Sequence, residues 1–239
     1  MDKKIDIPFF NRQEESARLL KLFRDETLTG HPFACVISGQ KNSGKTAIIE
    51  KFIGNLTEDL AISSQLHDFN KFKHVVEFKC SLQSQTEPYS AFLSITSQIL
   101  QNDKYKLLFS RLFSLLMTFI GASNAFNSLV QLAQIIKTNN ELDITHLELK
   151  KFKRYKSFLK RLTRRVPVIF IIKDAQYLDI HSLKLIESIL YNPSGFTGVF
   201  FLEMNENLGD SDAAVSWIYN LIKEGKLEKI QLNPLDPDF

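Results

Sequence analysis

Cysteine is scarce: Cys35 and Cys80 are the only two in 239 residues. That number excludes a disulfide framework, and both are expected to sit reduced in a core. Long apolar runs are also missing. The longest, from Leu112 to Ile120, is interrupted by Ser114 and Thr118, well short of the roughly 20 residues that a bilayer span requires. No secretory leader is visible, since Asp2, Lys3, Lys4 and Asp6 stand where an apolar segment would be needed. The five histidines (His31, His67, His74, His146 and His181) do not pair with one another at helical spacing, which argues against a transition-metal site. There is no internal repeat and no low-complexity linker. With 44% apolar and 24% charged residues, the chain excludes intrinsic disorder. A folded intracellular protein that makes no use of a membrane is expected, cytoplasmic or nuclear.

Net charge is small as well, at +3, but it is unevenly distributed. Nine of the sixteen residues from Lys150 to Arg165 are Lys or Arg, with no acid among them. Of the net +3, this segment carries +9, which leaves −6 over the rest. Global attraction to nucleic acid is therefore not indicated, and only this local patch offers one.

What is present alternates. Five apolar runs bounded by turn residues predict strands at Ala34–Ser38, His74–Cys80, Val168–Lys173, Gly198–Met204 and Leu227–Leu232. Helical patterns fall at Glu14–Arg24, Gly44–Ile53, Ser90–Leu100, Tyr105–Ile120, Leu147–Arg165, His181–Leu190 and Ala213–Lys223. The first is expected to turn Ala17, Leu20 and Phe23 inward. The basic one places Phe152, Tyr155, Leu159 and Leu162 on one stripe with its cations opposite. This order predicts an α/β fold: a five-stranded, mainly parallel sheet with helices on both faces. A helical insertion at about 83–165 is expected between the second and third strands, within a single domain spanning residues 1–239.

The segment that carries chemistry is Gly39-Gln40-Lys41-Asn42-Ser43-Gly44-Lys45-Thr46, a full match to G-x-x-x-x-G-K-[ST]. It follows an apolar strand and opens a helix, the context a phosphate-binding P-loop requires. Gly39 and Gly44 let successive backbone amides converge on phosphate oxygens, and the helix N-terminus adds partial positive charge. Lys45 is suited to the β- and γ-phosphates and Thr46 to Mg²⁺. ATP or ADP with Mg²⁺ is thus the expected ligand set. The acid that a P-loop needs on a neighbouring strand has one candidate, Asp174, at the end of Val168–Lys173.

Several further segments resemble the signal-transducing STAND branch of the AAA+ P-loop ATPases. Phe10-Asn11-Arg12-Gln13-Glu14-Glu15 is similar to the family's opening F-x-G/N-R-x-x-E box, and Glu87–Phe92 to its P-Y-x-x-F segment. Asp174 to Ile186 is similar to its D-x-Q-W-x-D-x-x-S-L-x-L stretch, and Ile230–Leu235 to its fifth strand with the closing L-x-P-L. Origin-recognition ATPase subunits share the same core. The resemblance implies a role for Arg12 in seating the nucleotide, for Asp174 beside the metal or the attacking water, and for Asn205 as a polar sensor of the γ-phosphate.

Two positions depart from that family. Where its third strand ends in two consecutive acids, this chain has Lys173 followed by Asp174. A one-residue slip would put Asp174 on the metal side and Ala175 in the second place, so one acid is missing in either alignment. Where an arginine often follows the fourth strand, this chain has Glu206, and no arginine occurs after Arg165. The two departures raise the expectation of a charge swap, with Lys173 paired to Glu206. A second option has Glu206 supplying the lost carboxylate to Mg²⁺.

The resulting expectation is an ATP-binding nucleotide switch with weak or doubtful hydrolysis. Its partners would be other domains of a longer parent chain or separate proteins, and an oligomer is compatible with this. The chain stops at Asp236–Phe239, where the resemblance places the start of a helical lid, so lid and sensor domains are expected to lie outside it. The alternative is a DNA-associated AAA+ subunit of origin-recognition type that uses the basic helix 150–165, with the steep salt dependence that phosphate contacts impose. A third option is a structural relative that keeps the fold without nucleotide, although nothing structural requires Lys45.

Overall fold

Val, Ile and Phe dominate the strand segments, and each is separated from the next by helix, so the strands pair in parallel. A computed structural model describes residues 12–28, 32–58, 74–100, 141–165, 168–206 and 213–234. Its strands are β1 (Ala34–Gly39), β2 (His74–Lys79), β3 (Val168–Lys173), β4 (Gly198–Asn205) and β5 (Glu228–Leu232). They form one sheet in the order β2-β3-β4-β1-β5, with every pairing parallel. The helices are α1 (Gln13–Leu28), α2 (Lys45–Glu58), α3 (Ser90–Leu100), α4 (Glu141–Arg165), α5 (Ile180–Tyr191) and α6 (Ala213–Lys223). This is the α/β P-loop NTPase fold of the AAA+ type. The helix expected at Tyr105–Ile120 lies outside the described residues, as does most of the opening box before Arg12.

Side chains alternate across the central strands and divide the interior into two cores. Phe170, Ile172, Phe200 and Leu202 face α3 to α6, whereas Ile169, Ile171, Val199 and Phe201 face α1 and α2. Helices therefore cover both faces. In α1 the inward residues are Ser16, Leu19 and Phe23, with Leu20 half-buried, while Ala17 is exposed. That corrects the expected stripe. Burying Leu19 removes far more apolar area from water than burying an alanine would. Both cysteines are buried and free. Burial pushes the Cys80 thiol up to about 12, with the nearby Asp179 and Asp174 charges adding to it.

The basic helix is longer than expected and begins at Glu141. Its buried stripe is Tyr155, Phe158, Leu159 and Leu162, with Phe152 packed against the same core. Two of its cations are engaged within the chain. Lys156 Nζ donates to the Ser188 carbonyl at 2.7 Å and Lys160 Nζ to the Asn192 carbonyl at 2.8 Å. Both thus sit on the negative end of α5, where the helix dipole favours them. Lys153, Arg154, Arg161 and Arg164 are exposed. No helix among the described residues is long and apolar enough to cross a membrane.

On the α1/α2 face, Phe201 is one of four rings in an edge-to-face aromatic cluster. Its ring centroid lies 5.3 Å from that of Phe52 and 5.9 Å from that of Phe33, and Phe23 meets both of those rings. Phe201→Ala is expected to cost about 3–5 kcal/mol of stability, measured as a lower chemical-denaturation midpoint. A loss under about 1 kcal/mol would show that the α1/α2 core can collapse around the gap.

Candidate functional site

The loop between β1 and α2 is shaped by its own backbone and braced from behind. A Cβ on Gly39 would come within 2.6 Å of Ser43 Oγ and 2.7 Å of the Leu232 carbonyl, so only glycine lets the end of β5 pass this closely. Asn42 and Gly44 take left-handed backbone, with φ of 66° and 90°. The Gly44 α-carbon faces open space. Gln40, Lys41 and Asn42 are exposed, and Ser43 is buried. Ser43 Oγ has no hydrogen-bond partner among the described residues.

Lys45 folds back over this loop and donates from Nζ to the Gly39 and Gln40 carbonyls at 3.0 and 2.7 Å. Burial lowers the affinity of its amine for a proton, against the nearby Glu203, Asp174 and Glu206 carboxylates, which favour the cation. An ammonium whose hydrogen-bond partners are two neutral carbonyls of this loop fits a phosphate group.

Arg12 is 6% exposed. Nη1 pairs with Glu15 at 2.8 Å, and Nη2 donates to the Ser43 carbonyl at 3.2 Å and to the Asn233 carbonyl. The guanidinium therefore ties the loop to the chain just after β5. Both terminal nitrogens thus have partners within the scaffold.

The ends of β3 and β4 carry the remaining candidates. Asp174 has φ 53° and ψ 45° and caps a 3₁₀ turn at Ala175–Tyr177. Asn205 Nδ2 donates to Asp174 Oδ1 at 3.0 Å, and the Asn205 amide donates to Gln176 Oε1 at 3.3 Å. Asp174 and Asn205, separate in sequence, thus form one cluster, with Lys79 at 3.8 Å from the carboxylate. Asp174 makes no hydrogen bond to Thr46 among the described residues. Thr46 Oγ1 instead donates to Glu203, at 2.9 Å to Oε2 and 3.2 Å to Oε1.

Glu203 was not among the expected site residues. It is 5% exposed. Burial pushes its carboxyl above the usual range, opposed by the Thr46 hydroxyl and by the Lys173 and Lys45 cations. The sequence does hold a signal for it: an acid interrupts an otherwise apolar strand two residues after Phe201, on the alternation that faces α2. The proposed charge swap is overturned. Lys173 Nζ pairs with Glu77 at 2.7 Å, whereas Glu206 accepts from Ser38 Oγ at 3.0 Å. The reason is topological. Lys173 shares a sheet face with Glu77 one strand outward, while Glu206 lies beyond the end of β4, beside β1.

With this geometry in place, comparison with known proteins gives a family. A family model described as AAA ATPase domain matches residues 8–201. The chain belongs to the AAA ATPase domain family. No curated protein matches it significantly. Among solved structures, similarity is found to the ORC2 protein of Aeropyrum pernix in ADPNP–ADP complexes, at 13% identity and a TM-score of 0.49. That match covers 97% of this chain and 50% of the other. Drosophila ORC bound to DNA is similar at 15% identity and a TM-score of 0.41, covering 92% of this chain and 42% of that one. The chain thus spans half or less of the length of these relatives.

The segment Asp174 to Ile186 has a structural centre in Asp179, which is 1% exposed. It caps α5 through the Ser182 amide at 2.9 Å and also accepts from the Tyr89 amide at 3.0 Å. One carboxylate thereby starts α5 and fixes the left-handed turn at Tyr89 that precedes α3. Asp179→Ala is expected to lower stability by about 2 kcal/mol, from the lost cap and the orphaned amides. Thermal and urea melts would check this, and an unchanged midpoint would mean that the two segments are held by other contacts.

Proposed function

We propose that this chain is the ATP- or ADP-binding core of a nucleotide-gated switch of the STAND type. Its loaded state would be read by other domains of a longer protein or by protein partners. The carrying observation is the cradle itself. A complete P-loop between β1 and α2, an open face at Gly44 and an ammonium with two neutral carbonyl partners fit an anionic phosphate chain. Thr46 would hold Mg²⁺ together with the nucleotide phosphates. Few protein ligands are needed, because Mg²⁺ commonly uses one or two carboxylates plus substrate oxygens. When bound, the metal supplies neutralising charge at the β- and γ-phosphates.

In this reading Asp174 orients the attacking water and Asn205 senses the γ-phosphate. Their mutual hydrogen bond and the left-handed backbone of Asp174, a costly conformation for a non-glycine residue, support a shared role. The same residues argue for slow chemistry. Lys173 stands in the first acid position, and residues 166–239, which include β4 and β5, hold no arginine to serve as a finger. A transition state with developing charge therefore lacks two stabilisers. A switch tolerates this because it needs differential nucleotide affinity between states rather than turnover.

A second reading, DNA association through the basic helix in an origin-recognition-type subunit, draws on the exposed Lys153, Arg154, Arg161 and Arg164. It has less support, as Lys156 and Lys160 are committed to the end of α5.

Lys45→Ala is expected to abolish ATP and ADP binding in calorimetric titration while leaving the melting temperature unchanged. Undiminished affinity in the folded variant would overturn the nucleotide reading. Steady-state hydrolysis by the chain is expected to stay below about 1 s⁻¹, the lower edge of active phosphoryl-transfer enzymes. Faster turnover would show that Asp174 alone suffices.

A further inference from the structure

On the α2 face of the sheet, the side chains of β3 and β4 form a buried apolar ladder: Ile169 and Ile171 on one strand, Val199 and Phe201 on the next. Alternation continues this ladder to Lys173 and Glu203. Both lie near the C-terminal ends of their strands. The AAA pattern wants an acid on β3 at that level, and this chain has a cation there. Glu77 on the edge strand holds Lys173 Nζ at 2.7 Å, on the side of β3 opposite to β4. The acid stands on β4 instead, 2.9 Å from the Thr46 hydroxyl.

From this placement we infer that Glu203 is the metal-side carboxylate of the nucleotide site, moved from the third strand to the fourth, with the Lys173 ammonium bound to Glu77 rather than to Glu203. The inference rests on the proposed nucleotide site. Three observations carry it. A carboxylate buried to this degree needs a cation or a hydrogen-bond partner to be kept, and its one hydrogen-bond partner among the described residues is the P-loop hydroxyl. Hard oxygen donors, a hydroxyl and a carboxylate side by side, suit Mg²⁺. Asp174, the other acid at this end of the sheet, is tied instead to Asn205, Gln176 and Lys79. The two acids therefore divide the work by position, Glu203 beside Thr46 and Asp174 beside the sensor. Glu206 is not the relocated ligand, because its hydrogen bond goes to Ser38.

The test is calorimetric titration of the whole chain with ATP, once in Mg²⁺ and once in EDTA. It compares the wild type, Glu203→Gln and Lys45→Ala. Glutamine keeps the shape and still accepts from Thr46, and it removes a buried charge, so the variant should fold; a melting curve checks that. The wild type is expected to bind more tightly with Mg²⁺ than without. Glu203→Gln should lose about 10–100-fold of that metal-dependent gain, with affinity in EDTA unchanged or improved. Lys45→Ala should lose binding in both media. Mn²⁺ with ADP, followed by electron paramagnetic resonance, should likewise show weakened metal retention in Glu203→Gln. A folded Glu203→Gln protein that keeps the full Mg²⁺ gain and holds Mn²⁺ normally would overturn the assignment while leaving the nucleotide site standing. Absence of ATP binding by the wild type in either medium would overturn the nucleotide reading and this assignment with it.

Discussion

The parallel pairing of β1 with β4 is the constraint on which the site depends. Its register sets Ile37 opposite Glu203 and Gly39 opposite Asn205. The P-loop therefore leaves the sheet beside the end of β4, and the first turn of α2 lies over that strand. Both strands are buried through almost their whole length. A slip of one residue would exchange every inward and outward side chain between two differently shaped cores. Phe201 could not leave its aromatic cluster, nor Glu203 leave Thr46, without that exchange. Packing of the apolar rows thus enforces the position of the one acid among them.

Around this pairing, the polar groups at the C-terminal end of the sheet fall into separate short circuits. Arg12 closes the P-loop against the chain after β5. Asp174, Gln176 and Asn205 close the end of β3 against β4. Lys173 closes outward on Glu77, and Thr46 closes on Glu203. Each of these satisfies a buried or half-buried group that would otherwise cost stability. Phosphates and metal entering here would compete for Lys45 and Thr46 in particular, since those two side chains hold the contacts nearest the open face.

Much of the architecture was legible in advance because it rests on local patterns. The five apolar runs became the five strands with ends shifted by about one residue, and the P-loop sits between β1 and α2 as its glycine spacing demands. The face of α1 was misjudged, since Ala17 and Leu19 both fit a loose helical stripe and only contact with Phe52 and Phe201 selects between them. The start of α4 was missed because the acidic segment before Leu147 carries little apolar periodicity. At the site, Asp174 and Asn205 were identified singly, and their contact arises only when β3 lies beside β4. Glu203 was passed over as part of an apolar strand.

By itself, the sequence determined which local structures form and which chemistry one loop can perform: apolar periodicity and glycine placement act over a few residues, and their consequences are visible there. Only the tertiary structure decided which charges meet. Lys173 and Glu206 look complementary along the chain, yet their partners are Glu77 and Ser38, because pairing across a sheet follows strand order and face. Neither strand order nor register is written in the spacing of any one segment. They emerge when two faces of five strands must be buried at once.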